Sequence, residues 1–346
     1  MRTSWRWRDM EVPFARPYLT GDEGAAVAEV IATGWVSQGP KVQAFEAALA
    51  ERVGAEDAVV TTSCTTALHL ALHAAGVGPG DEVIVPSLSF IATANAVRHC
   101  GAQPVFADID PRTYNLDPYA AERAITSRTT AIMPVHQVGL PADMDAFVEI
   151  ARCHHLALVE DAACAIGARY RGRPVGSIGP MACFSLHPRK VITTGEGGFI
   201  AVRDKRLAER LRRLRQHGMS VSDLARHRTD QVVIEAYPEP GFNYRMTDMQ
   251  AALGLCQLEV LDEVLERRRV LAERYTAALA EMPGLEPPYD PPYAQRTWQS
   301  YCVRVAPGSL VDRTELMERL LADRIVTRRG VMAIHLEEAY AMAEAR

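Results

Sequence analysis

Residues 159–198 read VEDAACAIGARYRGRPVGSIGPMACFSLHPRKVITTGEGG. The stretch begins inside one short apolar run, Ala157-Leu-Val-Glu160, and contains a second, Met181 to His187. Short runs that are apolar throughout suit strands covered on both faces. A residue capable of chemistry follows each run, Asp161 after the first and Lys190 after the second. A carboxylate beside a pyridine nitrogen keeps that nitrogen protonated, because an opposite charge favours the charged form. A lysine amine can condense with an aldehyde. The pair could therefore hold a pyridine-ring cofactor from two sides. Each residue also has a plainer reading: Asp161 as the cap of a following helix, Lys190 as a surface-loop lysine.

The flanking sequence extends the same pattern. Lys41–Val53 has helical spacing, Ala58–Thr61 reads as a strand and Thr65–Ala75 as a helix. Further strands are expected at Glu82–Val85, Pro104–Ala107 and Ala131–Met133, with helices at Ile91–His99 and Asp143–His154. Alternating strands and helices imply an α/β doubly wound sheet. Such sheets bind ligands beyond the carboxyl ends of their strands, where Ser63, Ser87, Asp108, His136 and Asp161 fall. No GxGxxG follows a strand, so the dinucleotide-binding fingerprint is missing. Near residue 246 the character changes. Thr247-Asp-Met-Gln250 matches a capping box, a long helix is expected to about Met282, and a Pro-rich linker leads to a strand over Ser300–Val305 and a helix near Thr314–Asp323. The reading is residues 1–245 as an N-terminal arm plus large domain, and 246–346 as a small α+β domain.

The 346 residues are 48% hydrophobic and 23% charged, ordinary for a globular chain, with a net charge of −5 that argues against a nucleic-acid surface. No apolar run reaches membrane-spanning length. The N-terminus, with two Trp and four Arg in MRTSWRWRDMEVPFARPYL, has no apolar signal core and reads as an exposed arm. Seven scattered Cys without a CxxC are expected to be free thiols in a reducing cytoplasm. The ten His show no metal-ligating spacing, so no metal site is expected.

Three further features bear on a cofactor. Thr61-Thr-Ser-Cys-Thr-Thr-Ala67 carries five hydroxyls at a strand-to-helix turn, either an N-cap or an anion site for a phosphate. Ser185 adds a hydroxyl near the lysine. Phe90 is either core or a ring that stacks on the cofactor. His187 and Arg189 are the cations expected to keep Lys190 unprotonated.

Together these pieces resemble the sugar aminotransferases of the DegT/DnrJ/StrS type, pyridoxal 5'-phosphate (PLP) enzymes of fold type I. The matching blocks are GWVSQGPKVQAFE (34–46), TTSCTTALHLAL (61–72), PSLSFIATANAV (86–97), GAQPVFADID (101–110), PVHQVGLPADMD (134–145), EDAACAIGARYRGRPVGSIG (160–179), CFSLHPRKVITTGEGG (183–198) and GFNYRMTDMQAALGLCQL (241–258). The resemblance implies a mostly parallel, seven-stranded-type sheet between helices. By position, Lys190 is then the Schiff-base lysine and proton shuttle, and Asp161 the partner of the pyridinium nitrogen. Phe90 takes the stacking position. Cys64, Thr65 and Ser185 fall on phosphate-binding positions. Asn243 resembles a residue that reaches the phosphate from a neighbouring subunit, which implies a homodimer with shared active sites.

The implied reaction moves an amino group from L-glutamate to a keto sugar, expected to be a nucleotide-linked keto-deoxysugar, in deoxyaminosugar biosynthesis; a cyclitol ketone is a variant. Related dehydratases usually have His in place of the lysine, so Lys190 favours transfer. Trp35, within Gly34–Gly39, and His136, His187, Tyr244, Arg245, Arg328 and His335 are the expected substrate contacts. Two departures from the family pattern stand out. Cys164 replaces the usual Gln or His against the cofactor's ring hydroxyl, and a thiol is a weak donor. Family members also continue beyond the segment from Thr327 to His335, so the small domain is expected to be incomplete. These departures support an alternative, a catalytically impaired or regulatory relative of the same fold. Another PLP reaction, such as elimination or decarboxylation, is a third reading.

Overall fold

The computed structural model describes residues 11–221, 226–227 and 230–341. The expected N-terminal arm lies partly outside these residues. Its described part, residues 11–20, is exposed throughout.

Seven strands form the central sheet: β1 (Asp57–Thr61), β2 (Glu82–Pro86), β3 (Gln103–Ala107), β4 (Thr129–Ile132), β5 (Ala157–Asp161), β8 (Met181–Ser185) and β9 (Gly198–Val202). Between β5 and β8, β6 (Arg169–Tyr170) and β7 (Arg173–Pro174) make a small hairpin. The sheet order is β1-β9-β8-β5-β4-β2-β3. Only β9 runs against its neighbours, so the other six strands share one direction. The sheet is thus mostly parallel and α/β, as expected.

Helices cover both faces. On one, α3 (Cys64–Ala74), α4 (Ala92–His99) and α7 (Lys205–Arg215) pack Leu68, Leu72, Val97 and Leu211 against Val59, Val85 and Ile200. On the other, α2 (Pro40–Val53) and α8 (Asp248–Glu259) pack Phe45, Leu49 and Ala251 against Val60, Phe184 and Phe199. Burial of one such large side chain stabilises by roughly 1.5–3 kcal/mol. Phe184 and Phe199 are register partners on β8 and β9, and their rings stack at 4.5 Å. That cross-strand pair pins the antiparallel strand, and so sets Gly198 beside Ser185 at the sheet's edge.

Two expected elements differ. The long helix after Thr247 is two helices, α8 and α9 (Leu261–Leu279), with a non-helical Val260 between them. The break lets Leu261 enter the core, where it is fully buried. The strand expected over Ser300–Val305 shrinks to Arg304–Val305, paired with Leu285–Glu286. Residues 300–303 have no neighbouring strand to bond, and a lone extended segment gains nothing from its pattern. The capping box at Thr247 and Gln250 forms as expected. The helix near 314–323 runs from Arg313 to Ala322.

Candidate active site

The register gathers the polar residues at one sheet edge. Thr61 on β1 and Ser185 on β8 both pair with Gly198 of the intervening β9. Next along the edge, Asp161 on β5 pairs with Cys183 and bridges to Val135.

Gly198 lets helix α3 approach. A Cβ there would lie 2.5 Å from the Cys64 nitrogen and 2.6 Å from the Ser63 carbonyl carbon. Ser63 is the N-cap of α3 and accepts from Thr66 N–H, while the Thr66 hydroxyl accepts from Ser63 N–H. The next two N–H groups, of Cys64 and Thr65, have no intrahelical acceptor. They open at the positive end of an 11-residue helix, the geometry that binds phosphate. The Cys64 thiol is buried, its pKa pushed well up by burial, and faces the Cys183 carbonyl. Its contribution is therefore the backbone. Ser185 is buried beside this terminus, and its hydroxyl accepts from His187 N–H at 3.4 Å.

Asp161 is 4% exposed. Burial raises its pKa above the ordinary carboxylate value, against the Thr93 hydroxyl, the Ala163 N–H and the charge of Lys190. Thr93 donates to Oδ2 at 2.8 Å and lies 2.8 Å from the Ser89 hydroxyl. This Ser89–Thr93–Asp161 chain was not anticipated from sequence, since one hydroxyl in a run of Ala and Thr carries little signal. Phe90, next to Ser89, is 64% exposed. The core reading of this ring is thereby excluded.

Lys190 is half-buried, in the loop after β8. Its main-chain N–H donates to the His187 carbonyl, and its Nζ donates to Cys164 Sγ at 3.1 Å. Burial alone would lower the amine's pKa, but Cys164, then Cys64 and Asp161, outweigh it and the pKa is raised. The expected cationic neighbours do not act on it. His187 turns toward Glu196, at 3.9 Å, and the Arg189 guanidinium lies over Phe14.

The expected substrate contacts scatter. His136 is corrected outright: its side chain is fully buried, Nε2 meets Glu160 at 2.9 Å and Nδ1 accepts from Ala142 N–H, so no group remains for a substrate. Tyr244 is half-buried. Its hydroxyl is 3.0 Å from His69 Nδ1 and its ring stacks on Phe242, packed against the α3 side of the core. Trp35 bonds the Gln38 carbonyl within its own loop and meets His227 edge-on. Arg328 lies over Phe14, the ring that Arg189 also covers. His335 is half-buried against Phe106, with its Nδ1 unpartnered. Arg245 is half-buried, and Asn243 is exposed beside its main-chain bridge to Gln216. No group of His, Cys, Asp or Glu among the described residues could hold a metal.

A buried carboxylate, a lysine amine, an exposed aromatic ring and a free helix N-terminus are the donors that a phosphorylated pyridine aldehyde needs. The comparisons agree. The model of the DegT/DnrJ/EryC1/StrS aminotransferase family matches residues 17–346. GDP-perosamine synthase of Caulobacter vibrioides is 44% identical over 332 residues, covering 95% of this chain and 87% of that protein. DesV of S. venezuelae, solved in complex with a ketimine intermediate, superposes with a TM-score of 0.85 at 39% identity, covering 95% and 87% of the two chains. A Streptococcus pneumoniae protein assigned as a sugar aminotransferase and solved in its PLP form gives 0.89 at 29% identity, covering 96% and 88%. The chain belongs to the DegT/DnrJ/EryC1/StrS aminotransferase family.

Proposed function

We propose that this enzyme transfers an amino group from L-glutamate to a nucleotide-linked keto sugar, with PLP held at the edge of the sheet between Asp161 and Lys190. The observation that carries the reading is the placement of the buried Asp161 carboxylate, held by Thr93 at the end of β5, and of Lys190 in the loop after the neighbouring β8, beside the open N-terminus of α3. The name of GDP-perosamine synthase supports a nucleotide sugar as acceptor.

PLP, when bound, supplies an aldehyde and a ring that withdraws electrons from the substrate's α-carbon. The chain's residues then have distinct tasks. Asp161 would keep a proton on the ring nitrogen. The Cys64 and Thr65 amides and Ser185 would hold the phosphate, and the exposed Phe90 ring would be available to stack on the ring. Cys164 lies against the Lys190 amine. Lys190 is the amine that would hold the aldehyde and, once displaced by the incoming amino donor, would be free to move a proton at the reacting carbons. We propose further that residues 1–245 and 246–346 are the large and small domains. Asn243 completes the phosphate site of a second subunit in a homodimer, which works in the cytoplasm. Among the described residues no helix is long and apolar enough to cross a membrane.

The test is a half-reaction. PLP-loaded enzyme mixed with L-glutamate should release 2-oxoglutarate, and a panel of nucleotide keto sugars should then identify the acceptor. Glutamate consumption with no keto acid, or with carbon dioxide release, would overturn transamination.

A further inference from the structure

The Cys164–Lys190 contact is held from outside the sheet. Thr297 is 1% exposed, and its hydroxyl donates to the Cys164 carbonyl at 2.7 Å. Two residues on, Gln299 Nε2 donates to the Arg189 carbonyl at 2.8 Å, one residue before the lysine. The short segment 297–299 therefore grips the main chain on both sides of a 3.1 Å side-chain contact.

The segment is itself built to stay. Trp298 between the two is left-handed, with φ 51, a conformation a bulky residue keeps only when its surroundings impose it. The Arg268 guanidinium, on α9, donates to the carbonyls of Trp298 at 3.1 Å and Gln299 at 3.0 Å. The Arg296 guanidinium covers the Trp298 ring at 4.3 Å. The slot for Thr297 exists because residue 139 is glycine: a Cβ there would fall 1.9 Å from Thr297 Oγ1 and 2.9 Å from the Cys164 carbonyl oxygen. The Gly139 carbonyl in turn accepts from Thr297 N–H.

We propose that Thr297 and Gln299 are positioning residues, which hold the backbones of Cys164 and Arg189 so that the Lys190 amine stays against the cysteine sulfur. Through Arg268, this clamp ties the lysine's placement to helix α9. The inference rests on the reading of Lys190 as the reactive amine, yet its geometry is that of the cofactor-free chain.

The test is competitive acetylation of the whole cofactor-free protein at pH 8, read by peptide mass spectrometry. The chain has only three lysines. Lys41 and Lys205, paired on the surface with Glu29 and Glu56, serve as internal references. Loss of one clamp hydrogen bond should raise the relative rate at Lys190 by about three- to tenfold, in Thr297→Val and in Gln299→Leu. Thr297→Ser, which keeps the hydroxyl, should behave as the parent. A parental rate in either disrupted variant overturns the role of that residue. If Thr297→Val does not fold, Gln299→Leu decides alone. PLP binding by the parent is scored separately: a protein that never binds PLP but shows the labelling pattern keeps the clamp and loses the proposed reaction.

Discussion

Lys190 Nζ donates to Cys164 Sγ at 3.1 Å, in the turn that follows Asp161, the last residue of β5. The cysteine read from sequence as a departure from the family pattern is thus the direct partner of the lysine proposed to hold the cofactor. In the cofactor-free chain the sulfur holds the amine's pKa up, against the burial that would lower it.

Cys164→Ser should weaken this hold. Lys190 titrates above its ordinary 10.5 in the folded parent, so its contribution to stability is complete below that pH and is lost as pH rises through the folded value. Urea denaturation should therefore show the variant less stable than the parent at pH 8, with the gap closing as the pH passes the lysine range. A gap unchanged across that range would contradict the coupling.

Asp161→Asn should separate stability from function. The folded pKa of Asp161 is raised by burial, so the ionised carboxylate costs stability above that value, and the cost disappears as pH falls toward the ordinary 3.8. The cofactor-free variant should melt higher than the parent at pH 8, with the gain vanishing near pH 4. It should also bind PLP more weakly. A lower melting temperature at pH 8 with parental PLP affinity would contradict both roles.

Gly198→Ala places a methyl 2.5 Å from the Cys64 nitrogen. Backbone faces it, so α3 must shift. We expect a loss of about 1–3 kcal/mol, with PLP retention falling more than the thermal shift alone accounts for. Calorimetry and equilibrium dialysis against PLP would check the two parts.

Arg215→Ala tests the scaffold away from the site. Arg215 is 3% exposed and meets Glu46, 5% exposed, at 2.5 Å. Glu46 keeps the Arg212 guanidinium and the Val60 N–H as partners, so the loss is that of buried charge-assisted hydrogen bonds to Glu46 and the Val60 carbonyl, at a cost of about 1.5–3 kcal/mol. The urea midpoint should fall accordingly, while the pH dependence of Lys190 labelling in the folded protein stays as in the parent.

The sheet was legible because each parallel strand is a short unbroken apolar run, and the helices between them keep their own period. The break at Val260 was not, since Leu258 and Leu261 continue a plausible helical face and only the packing of Leu261 reveals the turn. The positions of Asp161 at a strand's end and of Lys190 in the loop after a later strand were legible. His136 misled for the same reason. Its neighbour in the fold is Glu160, which points to the opposite side of the strand from Asp161 and consumes the imidazole below the surface. Thr93 and Thr297 reach the site from one turn of a helix and from beyond a Pro-rich linker. Neither carries a local pattern, and only the tertiary fold brings them to Asp161 and Cys164.

The central claim is that Lys190 carries the cofactor. Purified protein incubated with PLP and reduced with borohydride should gain one pyridoxyl group per chain, and peptide mapping over three lysines should put it on Lys190 alone. Prior treatment with L-glutamate should prevent the labelling. A pyridoxyl group on Lys41 or Lys205, or none at all, would contradict the account.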